Sequence, residues 1–131
     1  MGGGRLDNQR KPSEIIEEFL VFLESANSEH IECGKIVDVC EKRNIDYLHD
    51  MEFAKDKGQR NKIATKIHQN QKKRRAAKDR KMELEKTATF FVDSGNKAFI
   101  GKLKRLLKDQ RDIEKYLEND RTYTRRVGEG E

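Results

Sequence analysis

Residues 59 to 92 read QRNKIATKIHQNQKKRRAAKDRKMELEKTATFFV, an unbroken stretch that contains neither glycine nor proline. An α-helix over this stretch would be about 50 Å long at 1.5 Å per residue. Its heptad-like positions are apolar at both ends and polar in the middle; they are Ile63, Ile67, Asn70, Arg74, Ala77, Lys81, Leu84, Ala88 and Phe91. The stretch therefore predicts one long central helix whose ends can pack against other helices.

The segment before this stretch also follows a helical pattern. Pro12-Ser13 predicts a helix start with Ser13 as the N-cap, followed by apolar residues at three- and four-residue intervals. These residues are Ile15, Ile16, Phe19, Leu20, Leu23 and Ala26. Asn27-Ser28 then predicts a break, and a second helix is expected to run towards Gly58, with Gly34 and Asn44-Ile45 as candidate kinks.

A final helix is expected after the turn signal Ser94-Gly95-Asn96. Its apolar stripe is predicted to consist of Phe99, Leu103, Leu106, Gln110, Ile113 and Leu117. Because short loops favour antiparallel neighbours, the fold expected is all-α. More closely, we expect an antiparallel three- or four-helix bundle of coiled-coil character around one long central helix.

The composition sets the expected domain organisation. Of the 131 residues, 34% are hydrophobic and 40% are charged, so the buried core must be a narrow seam. We expect a flexible segment over 1–12, a single helical domain over 13–119 and an extended tail over 120–131. With no apolar run long enough for a membrane span or signal peptide, and only two cysteines, we expect a cytoplasmic protein with reduced thiols.

Charge is distributed unevenly along the chain. Residues 13 to 53 hold 3 basic and 11 acidic residues, a net charge of −8, whereas residues 55 to 81 hold 12 basic and 2 acidic residues, a net charge of +10. Two antiparallel helices with complementary faces would explain this pattern. A turn centred on Gly58 predicts that Glu41 lies near Arg75 and Asp38 near Lys78.

The densest cluster of charge is the run from Lys72 to Lys81, with seven basic residues in ten. Such a run can neutralise nucleic-acid phosphates, although a solvated helix face with internal ion pairs explains it as well. Because no aromatic residue is interleaved, base stacking and sequence-specific reading are not expected. Arg74 is expected to be held within the bundle. The predicted nucleic-acid contacts are Lys72, Lys73, Arg75, Lys78, Arg80 and Lys81.

Two groups of residues have types suited to metal binding or catalysis. His30, Cys33, Cys40 and His49 are zinc-ligand types, but Cys33 and Cys40 would lie about 10 Å apart along a helix, which is too far for one ion. Asp46, His49, Asp50 and Glu52 resemble a hydrolase cluster, yet a polar layer in the bundle explains them more simply. We therefore expect no metal, no cofactor and no enzymatic activity.

Three segments resemble small uncharacterised helical proteins encoded by phages and prophages of Gram-positive bacteria. They are Asp46-Tyr47-Leu48-His49-Asp50-Met51-Glu52-Phe53, Lys73-Arg74-Arg75-Ala76-Ala77-Lys78-Asp79 and Arg121-Thr122-Tyr123-Thr124-Arg125-Arg126-Val127, and the match spans about residues 40 to 127. The resemblance implies a phage setting in which small helical proteins act by binding. The last segment is interpreted either as a docking peptide or as an ordinary frayed terminus.

These observations predict a non-enzymatic, phage-type accessory protein that binds nucleic acid or a nucleoprotein complex through the basic middle of its long helix. The alternative is a protein-binding inhibitor or adaptor directed at a host factor, such as a defence nuclease. Long seams with few large apolar residues often complete their burial by dimerising, so a homodimer is compatible with either function.

Overall fold

The computed structural model describes residues 9–119, Thr122 and residues 126–127. It contains three α-helices: α1 (Pro12–Glu52), α2 (Lys57–Val92) and α3 (Lys97–Glu118). A short 3-10 turn, Ser94–Asn96, precedes α3. The described residues contain no strand, which confirms the all-α prediction. Most of the predicted tail and residues 1–8 of the predicted flexible segment lie outside the described residues.

The predicted break at Asn27-Ser28 is wrong, because α1 is one continuous helix of 41 residues. The Ser28 hydroxyl donates to the Glu24 carbonyl at 3.4 Å, and the Ser25 hydroxyl donates to the Phe22 carbonyl at 3.1 Å. These serines therefore bond back to the preceding helical turn instead of capping a new helix. The helix also continues through Gly34 and Asn44.

The turn between α1 and α2 is held by two side chains that cap the second helix. Asp56 is the N-cap of α2, and its carboxylate accepts a hydrogen bond from the Gln59 backbone N–H at 2.8 Å. The Gln59 side-chain carbonyl in turn accepts from the Lys55 backbone N–H at 2.8 Å. This reciprocal arrangement is a variant of the capping box, and it starts α2 at Lys57, two residues before the predicted start.

The chain divides into two compact units. One, here called the hairpin unit, comprises Val21–Lys97; the other, here called the terminal unit, combines Met1–Leu20 with Ala98–Glu131. In the hairpin unit the buried residues are mostly small; they are Leu23, Ala26, Cys33 and Cys40 of α1 and Asn70, Ala77, Leu84 and Ala88 of α2. Small side chains let the two helices approach closely. The expectation that residues 13–119 form a single domain stays a prediction.

Ion pairs show that α1 and α2 run antiparallel in the hairpin unit. Glu41 pairs with Arg74 at 3.0 Å, and Glu29, about three helical turns earlier in α1, pairs with Arg80, which lies later in α2, at 2.7 Å. Glu41, predicted to lie near Arg75, makes its ion pair with the preceding residue, Arg74. Asp38 and Lys78 make no ion pair within the described residues.

In the terminal unit, α3 closes over the start of α1. Glu114 is only 5% exposed, and its carboxylate accepts hydrogen bonds from the backbone N–H and the hydroxyl of Ser13. Ser13 lies inside the first turn of α1, since the helix begins at Pro12, so its predicted role as N-cap is wrong. A carboxylate at the positive end of a helix dipole is favourable, and here it comes from a residue 101 positions away.

The predicted stripe of α3 is only partly correct. Ile100, Leu107 and Glu114 are the buried residues of this helix, whereas the predicted Phe99, Leu106 and Ile113 are about half exposed. Leu103, Gln110 and Leu117 are partly buried, as expected for seam residues. The helix thus has two neighbouring stripes at seven-residue spacing. The stripe of Ile100, Leu107 and Glu114 faces inward, although it is more polar than the stripe of Phe99, Leu106 and Ile113.

Candidate nucleic-acid interface

Two arginines of the basic run in α2 are neutralised by carboxylates of the hairpin unit. Arg74 donates to the Glu41 carboxylate from Nε at 3.3 Å and from Nη2 at 3.0 Å. Arg80 donates to Glu29 from Nε at 2.7 Å and to Glu83 from Nη1 at 2.9 Å. These hydrogen bonds hold both guanidinium groups against acidic side chains, so neither arginine presents a full unmatched charge to an outside anion.

The hydrogen bonds of Arg80 to two carboxylates bear on its predicted role as a phosphate contact. It was predicted to contact phosphate, but hydrogen bonds to Glu29 and Glu83 raise its pKa above the ordinary arginine value, against a smaller lowering by desolvation. An arginine that is already charged at neutral pH gains no further charge from this shift. We therefore assign Arg80 to holding α1 and α2 together.

The other predicted contacts keep their charges unmatched. Lys72, Lys73, Arg75, Lys78 and Lys81 make no ion pair in the part of the chain that the structure describes. Lys72 and Arg75 are exposed, and by their helical positions they lie on the side of α2 away from the buried seam. Lys78 is partly buried, and the Lys81 ammonium lies beside Gly34 of α1.

Lys73 lies at a groove shared by α1 and α2 in the hairpin unit. The groove is lined by Glu32, Lys35, Ile36, Val39, Cys40, Arg43 and Lys73. Three of these side chains are cations and one is a carboxylate, so the groove carries a formal charge of +2. Neither Lys35 nor Arg43 makes an ion pair within the described residues. We call Lys35, Arg43 and Lys73 the groove cations.

Asn70 fixes the register that brings the groove cations together. It is 7% exposed, and its side-chain amide donates to the Cys40 backbone carbonyl at 2.7 Å. Cys40 also forms part of the groove floor, and Lys73 follows Asn70 by about one helical turn. A slip of the two helices would leave the Asn70 amide without this acceptor, so the hydrogen bond favours one alignment.

Lys35 and Arg43 are the residues that the sequence did not single out. They belong to the segment with a net charge of −8, where the excess of carboxylates hides individual cations. The sequence did offer one signal for these residues: only three cations occur between residues 13 and 53, and Lys35 and Arg43 are two of them. Their convergence with Lys73 depends on the register of α1 against α2, which the sequence specified only to within one residue.

The candidate metal and catalytic residues do not form a metal site in the described structure. Cys33 and Cys40 are both buried free thiols, and no group of three or more potential ligands comes together among the described residues. His49 Nδ1 lies 3.7 Å from a Glu52 carboxylate oxygen, with both side chains about two-thirds exposed. This is the geometry of a surface contact one helical turn apart.

Comparison with known proteins found no match to a protein-family model, to a curated protein or to a solved structure. Among the described residues, none of the helices combines the length and the apolar character that crossing a membrane would require.

Proposed function

We propose that this protein is a non-enzymatic, phage-type accessory protein that binds nucleic acid in the cytoplasm of the host cell. The supporting observation is the convergence of Lys35, Arg43 and Lys73 on one groove, while the neighbouring Arg74 and Arg80 are neutralised by carboxylates. Lys72 and Arg75 extend the unmatched charge along the outer side of α2. Helices packed as a coiled coil would present this surface as a rigid platform.

The size of the groove favours contact with the phosphate backbone over contact with a base. Its volume is about 120 Å³, whereas pockets for small molecules usually measure about 300–1,000 Å³. A phosphate group fits such a space, and its charge matches the groove cations. Phosphate contacts give affinity and position without reading sequence, so we expect binding with little sequence preference.

Fluorescence anisotropy with labelled duplex DNA, single-stranded DNA and RNA tests the proposal. We expect binding at 50 mM salt that weakens strongly at 200 mM salt. The variant Lys35→Gln/Arg43→Gln/Lys73→Gln should lose at least about tenfold in affinity at the lower salt concentration. Absence of binding by the unchanged protein at low salt would remove the proposal.

A matched control separates the groove from overall charge. Lys104→Gln/Lys108→Gln/Lys115→Gln removes the same number of positive charges from exposed positions on α3. We expect this variant to bind nucleic acid within about threefold of the unchanged protein, because the proposed phosphate contacts are the groove cations of the hairpin unit. Equal losses in the two triple variants would show that only net charge matters.

The alternative function, an inhibitor or adaptor directed at a host protein, has an observation of its own. Ile31 and Ile45 of α1 are exposed and share a seven-residue repeat with Glu24, Asp38 and Glu52. Such an acidic and apolar stripe fits a basic protein surface. A host protein retained from nuclease-treated lysate, and lost with Ile31→Lys/Ile45→Lys, would favour this function over nucleic-acid binding.

A further inference from the structure

The terminal unit is an antiparallel pair of helix segments with one charged edge. Contacts of Lys11 with Glu118, Ser13 with Glu114 and Glu17 with Arg111 occur in reverse order along the two segments. The Glu17–Arg111 ion pair, at 3.0 Å, lies to one side of the buried Ser13 and Glu114. This side is the charged edge of the pair.

The opposite edge of the same pair is apolar. At 100° per residue, Ile15 and Phe19 of α1 lie on the side of the seam away from Glu17, and Leu106 and Ile113 of α3 lie on the side away from Arg111. Their exposed fractions are 52% for Ile15, 47% for Phe19, 47% for Leu106 and 52% for Ile113. We call these four residues, together with Phe99 of the same α3 stripe, the apolar edge.

The apolar edge has the size of the apolar part of a stable interface. Five side chains that are each about half exposed present roughly 400 Å² of apolar surface. A standard interface buries about 800 Å² on each partner, of which about 57% is apolar, or about 450 Å². The match favours a macromolecular partner that covers the whole edge.

The residues of α3 favour a second copy of this chain as that partner. Phe99, Leu106 and Ile113 are spaced by seven residues, so the stripe is symmetric about Leu106. The first half of the helix, 97–107, carries four cations and no carboxylate, whereas 108–118 carries three cations and four carboxylates. Two such helices attract one another when antiparallel and repel when parallel.

We propose that the protein forms a two-fold symmetric dimer through the apolar edge, with the two α3 helices antiparallel and Leu106 at the symmetry axis. In this arrangement Leu106 meets Leu106 of the second copy, and Phe99 lies level with Ile113 of the second copy. Lys102 lies within one residue of the level of Asp109 of the second copy, and the symmetry repeats this pair once more. The interface is therefore self-complementary in shape and in charge, as a two-fold contact must be.

Cysteine cross-linking of the full chain tests the position of the axis. Leu106→Cys should form a disulfide-linked dimer under mild oxidation, whereas Ile113→Cys should not, because its two copies would lie about 21 Å apart along the helices. Cys33 and Cys40 are buried, so the unchanged chain serves as the background. Equal cross-linking of the two variants, or none in either, overturns the proposed interface.

Sedimentation equilibrium tests the dimer and its charge pattern. The unchanged protein should have twice the 15.3 kDa mass of the chain, and Leu106→Lys should be monomeric, while Ile31→Lys, the same change at an exposed site of the hairpin unit, should remain dimeric. Lys102→Asp and Asp109→Lys should each raise the dimer dissociation constant about tenfold, and the double variant should restore it. A monomeric unchanged protein, or a double variant as weak as the singles, overturns the proposal.

Discussion

Asn70 shows at the scale of one residue how a polar group can determine alignment. It occupies a seam position where an apolar residue would give more burial, yet it forms a 2.7 Å hydrogen bond to the Cys40 carbonyl. Replacing it with alanine removes that bond and leaves space between the helices. We expect Asn70→Ala to lower the free energy of unfolding by about 1–2 kcal/mol.

Urea unfolding followed by circular dichroism measures this change. Asn61→Ala, at an exposed position of the same helix, provides the control and should change stability by less than about 0.5 kcal/mol. Equal effects of the two substitutions would show that the hydrogen bond to Cys40 contributes little. Protein concentration should be the same in all samples, since self-association would shift the apparent stability.

Glu114 illustrates a second interaction that depends on a single residue. Glu114→Gln keeps the shape of the side chain but replaces one of the two oxygens that accept from Ser13. Hydrogen bonds to charged groups contribute about 1.5–3 kcal/mol, so we expect a loss of about 1–2 kcal/mol in the free energy of unfolding. Glu118→Gln, which affects the exposed pair with Lys11, should cost less than about 1 kcal/mol in the same urea titration. A Glu118→Gln variant as unstable as Glu114→Gln would contradict this assignment.

At the scale of the helices, the packing of α1 against α2 depends on small side chains at the buried face of α2. Ala77 is buried in the seam of α2, whereas its neighbour Ala76 is exposed. Ala77→Leu would force a larger side chain between α1 and α2 and should cost about 1–3 kcal/mol. Ala76→Leu makes the same chemical change on the solvent side and should alter stability by less than about 0.5 kcal/mol. Thermal unfolding of the two variants distinguishes the faces, and a stable Ala77→Leu protein would contradict the close approach of the helices.

At this scale the sequence predicted that the helices exist better than it predicted where they begin and end or which of their sides is buried. The long helix and the final helix were predicted because their periodicity is local information. The break at Asn27-Ser28 was predicted wrongly because Asn and Ser favour caps by their local preference, whereas in α1 the helix continues through them and the Ser28 hydroxyl bonds to the preceding turn. The inward stripe of α3 was misassigned because burial of Glu114 depends on Ser13, a partner that periodicity within α3 cannot reveal.

The candidate site shows the same limit. The basic run of α2 was evident from the sequence, but whether each cation is neutralised depends on the opposite helix. The sequence placed Glu41 near Arg75, but could not indicate that the adjacent Arg74 is the residue with which Glu41 pairs. The same uncertainty hid Lys35 and Arg43, whose importance arises only where they meet Lys73.

The size of the unmatched charge determines how the whole molecule should respond to salt. The chain has a formal net charge of +5, but binding to a polyanion depends on the cations that actually meet phosphates. If the groove cations together with Lys72 and Arg75 neutralise five phosphates of duplex DNA, the logarithm of the binding constant should fall with the logarithm of salt concentration with a slope of about −4.5.

Variants at the two kinds of cation should change this slope differently. Replacing the three groove cations with glutamine should reduce its magnitude by about 3. Arg74→Gln/Arg80→Gln should leave the slope nearly unchanged, because Glu41 and Glu29 already neutralise these arginines and no counterion release depends on them. Anisotropy titrations at four salt concentrations between 50 and 200 mM give the slopes. A large change with the arginine variant and none with the groove variant would locate the nucleic-acid contact on another face of α2.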